Sequence, residues 1–241
     1  MNKGKIKRYH YLLFHLVASV AILGSFFIYL LNLPFCLLSP WSHKARRVSA
    51  VITQWGLYSL RVFQPWWKGS LTVNLPASVV QGDSGCLCVA NHRSHMDVFL
   101  LLEQIRGLRV LTKHLIFLVP GLGIAAYMLR MIKVKRGDQE SFWKAMSKIE
   151  QAFNDNEIVH VFPEMTRASY GDTELKRFTL APFQKALSAG VPVVPIVIWG
   201  TDYLWPKGTY AIASKGPLVV KSLPAIESQK FESAAELSDH V

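Results

Sequence analysis

A largely polar stretch, Asn91-His92-Arg93-Ser94-His95-Met96-Asp97, lies between two apolar runs, 86–90 and 98–102. If a strand ends at Asn91 and a helix opens at Ser94, a turn plus one helical turn brings the Asp97 carboxylate onto one imidazole nitrogen of His92. That contact fixes the tautomer and leaves the other nitrogen as a base. The same anion favours the imidazolium formed when the base takes a proton. No serine or cysteine nucleophile with an evident role accompanies the pair, so the matching chemistry is acyl transfer, in which a substrate hydroxyl deprotonated by His92 attacks directly. A structural reading competes with this one. Ser94 and Asp97 are spaced as a capping box, with Ser94 as N-cap and Asp97 favoured by the helix dipole. That explains those two residues and leaves His92 unexplained. His92, His95 and Asp97 lack a companion thiolate, histidine or carboxylate, so no metal is expected. His95 is expected on the exposed or strand-packing side of the helix start, and His160, inside an apolar strand, is expected as a hydrogen-bonded core histidine.

The elements that must position these groups alternate. Short β-rich runs at 71–74, 86–90, 108–112, 131–135, 158–162, 193–199 and 218–222 alternate with helical patterns at 94–104, 138–153 and 178–188. The second helix is amphipathic through Phe142, Ala145, Met146, Ile149 and Phe153. The alternation predicts an α/β sheet domain, and such sheets place chemistry in loops at strand ends. The last fifteen or so residues are expected as a short helix or a loose tail.

Three further blocks occur in order after His92 and Asp97. One runs from Lys113-His114-Leu115 through 120–123 to Ile132-Lys133-Val134-Lys135-Arg136, the next is Phe162-Pro163-Glu164-Met165-Thr166-Arg167, and the last is Val191-Pro192-Val193-Val194-Pro195-Ile196. Together, over about 71–200, the four blocks resemble the glycerolipid acyltransferase family that includes bacterial 1-acyl-glycerol-3-phosphate acyltransferase. The resemblance implies a mixed-sheet α/β sandwich, attached to a membrane, that moves a fatty acyl group from acyl-CoA or acyl-carrier protein to a lysophospholipid hydroxyl. It implies His92 as general base and Asp97 as its orienting partner. Arg136, Glu164 and Arg167 would hold the acceptor's phosphate and glycerol, Lys113 would belong to the substrate-binding set, and Pro195 would shape an acyl or acceptor pocket. A planar guanidinium grips phosphate oxygens as a fork, which agrees with the arginines. No cofactor is implied beyond the acyl donor. Two departures bear on the acceptor. Met165 stands where the family usually has Gly, adding bulk beside the phosphate site, and Phe178-Thr179-Leu180-Ala181 replaces Phe-Lys-x-Gly. Lys176 and Arg177 are candidates for the missing charge. Lysophosphatidic acid is the leading acceptor; another lyso-lipid, a lipid hydrolase reaction or a non-catalytic membrane-surface role are the alternatives.

With 241 residues the chain holds one substantial domain and a small attachment. Its formal charge of +11 is concentrated at the front. Before Asp83 there are Lys3, Lys5, Lys7, Arg8, Lys44, Arg46, Arg47, Arg61 and Lys68 and no acidic residue. These flank a charge-free run from Tyr11 to Trp41, whose densest part, 12–31, would as a helix extend about 30 Å, enough to cross a hydrocarbon core. Asn32, Pro34 and Pro40 interrupt the pattern and both flanks are basic, so a bent hairpin dipping into one leaflet is preferred to a single span. The segment 48–68, with Trp55, Tyr58, Phe63, Trp66 and Trp67, reads as an amphipathic interfacial helix or a core-packing one. The expected division is a membrane-anchoring helical segment, 1–68, and an α/β acyltransferase domain, 69–241. The domain is expected in the cytosol on the inner or plasma membrane. Cys36, Cys86 and Cys88 form no disulfide framework, which fits a reducing compartment. Basic residues that bracket apolar sequence, without an RNA-binding signature, exclude nucleic acid as the expected partner.

Overall fold

The computed structural model describes residues 8–39, 41–63, 69–119, 122–169, 171–172, 174–208 and 216–241. Seven strands form one sheet: β1 Leu71–Asn74, β2 Cys86–Ala90, β3 Arg109–Lys113, β4 Ile132–Val134, β5 Ile158–Val161, β6 Val193–Trp199 and β7 Leu218–Ser222, in the order β1-β7-β6-β2-β5-β3-β4. The run from β6 to β4 is parallel; β7 is antiparallel to β6 and parallel to β1, so the sheet is mixed. All five residues of β2, at the centre, are buried. Successive side chains of a strand point to opposite faces, so both faces of β2 must be covered. Cys86, Cys88 and Ala90 enter one apolar layer with Leu100 and Leu101, while Leu87 and Val89 enter the other with Met146, Ile149 and Phe183.

The helices are α1 Arg8–Leu38, α2 His43–Phe63, α3 Ala77–Gln81, α4 Met96–Gln104, α5 Leu122–Met128, α6 Gln139–Asn154, α7 Ala181–Ala189, α8 Thr201–Leu204 and α9 Ala234–His240. A 3-10 turn, His114–Leu118, precedes α5. In α6, Asp138 caps the start by accepting the Ser141 amide at 2.9 Å, and Ala145, Met146, Ile149 and Phe153 are buried as the 3.6-residue period requires. The end of the chain is helical. Ser233 accepts the Glu236 amide and the Glu236 side chain accepts the Glu232 amide, a capped start that buries Leu237.

Two predicted helices start two or three residues later than expected. Helix α4 starts at Met96 because the amides of Arg93 and Ser94 are taken by the Asp97 side chain. Helix α7 starts at Ala181, with Pro182 in its first turn, where a missing N–H costs nothing. Strand β3 begins one residue later than expected, and β4 and β5 are shorter.

The front end differs most from expectation. Neither Asn32 nor Pro34 breaks α1, which continues to Leu38. Pro34 lies on an exposed side, and Leu30, whose carbonyl loses its helical donor, is also exposed. The Asn32 side chain instead donates to Ser49 O and Thr53 Oγ1 across the α1–α2 contact. The reversal is a turn in which Ser39 N bonds Cys36 O and Trp41 N bonds Leu38 O. Gly56 permits the close approach of the two helices, since a Cβ there would meet Ile28 Cδ1 at 2.9 Å. Helix α2 is fastened to α4 by a forked Arg61–Glu103 ion pair at 2.7–2.9 Å, and Leu57 packs on the domain's core. Its other side exposes Trp55 and Tyr58, so α2 has both a core-packing and an outward apolar face. Trp66, Trp67 and the expected boundary at 68/69 involve residues 64–68, outside the described ones. Among the described residues, no helix is long and apolar enough to cross a membrane.

Candidate active site

The centre of the sheet ends at Asn91. Its side chain accepts the Ile198 amide and donates to the Ile198 carbonyl, both at 2.8 Å, extending the β2–β6 ladder and pinning the chain as it leaves the sheet. His92 follows. Its Nδ1 lies 2.9 Å from Asp97 Oδ2, and that oxygen also accepts the amides of Arg93 at 2.7 Å and Ser94 at 2.8 Å. Asp97 has no solvent exposure. Because this oxygen accepts from two fixed amides, Nδ1 must carry the proton, which leaves Nε2 with its lone pair. The Phe162 ring stacks on the imidazole at 3.9 Å and 16° and sets its plane.

Ser94 is one step removed from its expected role. The N-cap position is His95, and Ser94 Oγ accepts the Met96 amide while donating to Trp205 O at 2.8 Å. The serine thereby ties the loop to the segment after α8. Arg93, which had no expected role, joins two more segments: Nη2 donates to Asp172 O at 2.6 Å, and Nη1 lies 3.4 Å from Asp202 Oδ2. His95 is exposed beside Trp205, and partial loss of hydration, then the Arg167 cation, push it down to about 4.

Glu164 is buried, with Oε1 accepting the His92 amide at 3.2 Å and Oε2 the Lys176 amide at 3.1 Å. It therefore braces the His92 loop against the segment that carries Lys176. The Ala168 amide donates to His92 O at 2.7 Å, so the residues around Arg167 also rest on this loop. Burial lowers the Arg167 guanidinium from its usual value, opposed by attraction to Asp97. Lys176 Nζ and Lys207 Nζ both reach Arg167 O, at 3.4 and 3.1 Å, gathering cationic groups beside the dyad. Lys207, forty residues beyond Arg167, carried no sequence signal.

Lys113 is exposed at the end of β3 and lies within electrostatic range of His95. Arg136 is exposed in the turn after β4. It shares the sheet end with His92, but β4 is the third strand from β2, about 14 Å away at ordinary strand spacing. Pro195 lines a cavity of about 540 Å³ together with Val89, Asn91, Arg93, Pro163 and Trp199, directly beside the His92 loop.

Met165 has φ 54°, in the left-handed region that favours glycine. Its side chain, like that of Phe178, packs against the α6–α7 layer. His160 is fully buried and stands edge-on to Phe162 at 4.4 Å. Neither of its ring nitrogens makes a well-formed hydrogen bond among the described residues, and its polar contact is a weak one with the Cys88 backbone. Burial, with a smaller push from His92, lowers it to about 3, so it is a neutral packing residue. Among the described residues, no group of three or more His, Cys, Asp and Glu side chains can hold a metal ion.

The mixed α/β sheet fold is shared with a known crystal structure. The 1-acyl-sn-glycerophosphate (LPA) acyltransferase PlsC from Thermotoga maritima superposes with a TM-score of 0.76, covering 95% of this chain and 88% of that one, at 23% identity. The family model described as Acyltransferase matches residues 71–199, and the chain belongs to that family of glycerolipid acyltransferases. Among curated relatives, a chloroplastic 1-acyl-sn-glycerol-3-phosphate acyltransferase of Brassica napus is 30% identical over 210 residues, 86% of this chain and 58% of the relative. One from Arabidopsis thaliana is 29% identical over 206 residues, 84% and 55%. The chain thus spans a little over half the length of these relatives.

Proposed function

We propose that the protein is a membrane-attached acyltransferase that moves a fatty acyl group from an acyl thioester, acyl-CoA or acyl-carrier protein, to the free hydroxyl of lysophosphatidic acid, forming phosphatidic acid. The observation that carries this reading is the 2.9 Å contact from His92 to an Asp97 carboxylate held by two backbone amides. Relatives named 1-acyl-sn-glycerol-3-phosphate acyltransferase support this acceptor. The acceptor hydroxyl gives its proton to His92 Nε2 as its oxygen attacks the thioester carbonyl; Asp97 stabilises the imidazolium. The tetrahedral intermediate collapses, the C–S bond breaks, and the imidazolium returns the proton to the leaving thiolate. Neither an acyl-enzyme nor a second base is required.

The cationic groups of Arg167, Lys176 and Lys207 hold the acceptor's phosphate, with Lys176 and Lys207 compensating for the lysine replaced by Thr179. Arg136 and Lys113 form an outer rim, and Glu164 and Pro195 shape the acceptor and acyl spaces. The exposed apolar side of α1, through Leu12, Leu16, Leu23 and Phe27, rests in the membrane with the domain on its cytosolic face. The test is to incubate purified protein with mixed acyl thioesters and a panel of lyso-lipids, then identify products by mass spectrometry. Phosphatidic acid is the expected product. Acylation of a different lyso-lipid, or release of free fatty acid alone, would replace this reading with one of the alternatives.

A further inference from the structure

At the opposite end of the sheet from His92, a cavity of about 360 Å³ opens between the α1–α2 turn, the end of α4 and the turn after α5. Glu157, where β5 begins, receives Arg46 Nη1 at 2.6 Å, Arg109 Nη1 at 2.9 Å and Arg130 Nη1. Three guanidinium groups on one carboxylate leave uncompensated positive charge. Arg47 has Asp83 as counterion at 3.0 Å, but Arg106 leans on the neutral Gln54 amide oxygen at 3.3 Å. Counting Asp155 as well, five arginines face three carboxylates around the cavity.

The site is built at a cost. Arg109 is 9% exposed, and burial lowers its guanidinium from the usual value despite Glu157. Arg130 adopts φ 53°, a strained backbone for a residue with a Cβ. Arg46 Nε is buried with no acceptor among the described residues. Excess cationic groups and an unused buried donor are what an anion with several oxygens would satisfy. One wall is the α1–α2 turn, where Leu37, Leu38 and Trp41 are 63%, 55% and 83% exposed. An anion seated here and carrying acyl chains can lay them along that apolar margin; a small soluble anion makes no use of it.

We propose that this cavity binds the phosphate of an anionic membrane phospholipid as a second site, separate from the one at His92, and that the bound headgroup holds the hairpin against the sheet in a lipid environment.

The full-length protein in neutral detergent is titrated with phosphatidylglycerol and followed by native mass spectrometry and thermal unfolding. One tightly retained phosphatidylglycerol and a raised melting temperature are expected, with phosphatidylcholine unable to displace it. Substituting Arg47→Gln and Arg106→Gln together leaves the Glu157 contacts in place and should weaken retention by about tenfold or more. Arg167→Gln, at the other end of the sheet, should retain the lipid. The proposal is overturned if phosphatidylcholine competes equally, if the double substitution binds like the parent, or if Arg167→Gln abolishes binding. It is equally overturned if inorganic phosphate alone displaces the lipid and gives the same thermal shift, since the pocket would then serve a soluble anion. None of these readouts depends on acyl transfer, so failure of the catalytic reading would not be mistaken for failure of this one.

Discussion

Asp97 and Glu157 are both shielded carboxylates at opposite ends of the same sheet, and their donors differ in kind. Asp97 accepts two backbone amides and an imidazole; Glu157 accepts three guanidinium groups. Guanidinium groups stay protonated at any ordinary pH, so none of the three donors on Glu157 can exchange a proton. Imidazole can. The comparison separates a carboxylate arranged for proton movement from one arranged as a clamp, although both are strongly hydrogen-bonded.

Breaking the first arrangement has the largest expected effect. His92→Ala should lower acyl transfer by roughly 10³-fold or more and Asp97→Asn by roughly 10²-fold or more, with melting temperatures near the parent's, because one loses the base and the other its orientation. A transfer rate equal to the parent's in either variant would remove the dyad from the mechanism. Breaking the second should leave chemistry intact and cost stability. Glu157→Gln strands Arg109 without its counterion, an expected loss of about 3 kcal/mol, or roughly 10 °C in a thermal melt. Burial by itself raises the Glu157 carboxyl, but attraction to Arg109 and Arg130 outweighs it and leaves the carboxyl below its ordinary value. Its contribution is therefore present above the ordinary carboxyl pKa and fades as pH falls through the folded one. A Glu157→Gln protein as stable as the parent at neutral pH would show that the arginines need no anion there.

His160 sharpens the comparison, being a histidine at the active end that does no acid–base work. Its folded pKa is pushed down to about 3, so on acidification the unfolded chain takes up a proton from about pH 6.5 that the native state refuses until pH 3. Stability should fall by about 1.4 kcal/mol per pH unit in that window, beginning well above the pH at which the Glu157 contribution fades. His160→Leu should flatten the limb between pH 6.5 and 4.5 in chemical denaturation. An unchanged limb would mean that another group titrates. The smallest effect is expected for Met165→Gly, where relief of the left-handed backbone, worth about 1 kcal/mol, offsets the lost packing against the α6–α7 layer. The melting temperature should move by only a few degrees, and a large drop would show that the packing dominates.

Much of the sheet was legible because its signals are local. Buried strands read as short apolar runs, and the α6 face follows the helical period through Ala145, Met146, Ile149 and Phe153. The His92–Asp97 contact was legible for the same reason, since five residues of turn and helix start suffice to close it. Helix starts were less legible. The start of α4 depends on where two amides spend their hydrogen bonds, and the path of α1 through Pro34 depends on α2 holding Asn32. The Glu157 cluster was illegible, because Arg46, Arg109 and Arg130 are 111, 48 and 27 residues away along the chain. Lys207 was missed similarly, as its reach to Arg167 follows from how the segment after α8 lies on the His92 loop.

By itself the sequence determined the alternating α/β order, the apolar basic front end and the His92–Asp97 contact, all properties of residue type over short spacings. Tertiary structure alone decided which cationic groups gather beside that pair, that Arg136 stays at the sheet's far edge, and that a second cluster of arginines forms at the other end. Those outcomes depend on strand order and helix docking, which bring together residues whose separation along the chain carries no trace of their meeting.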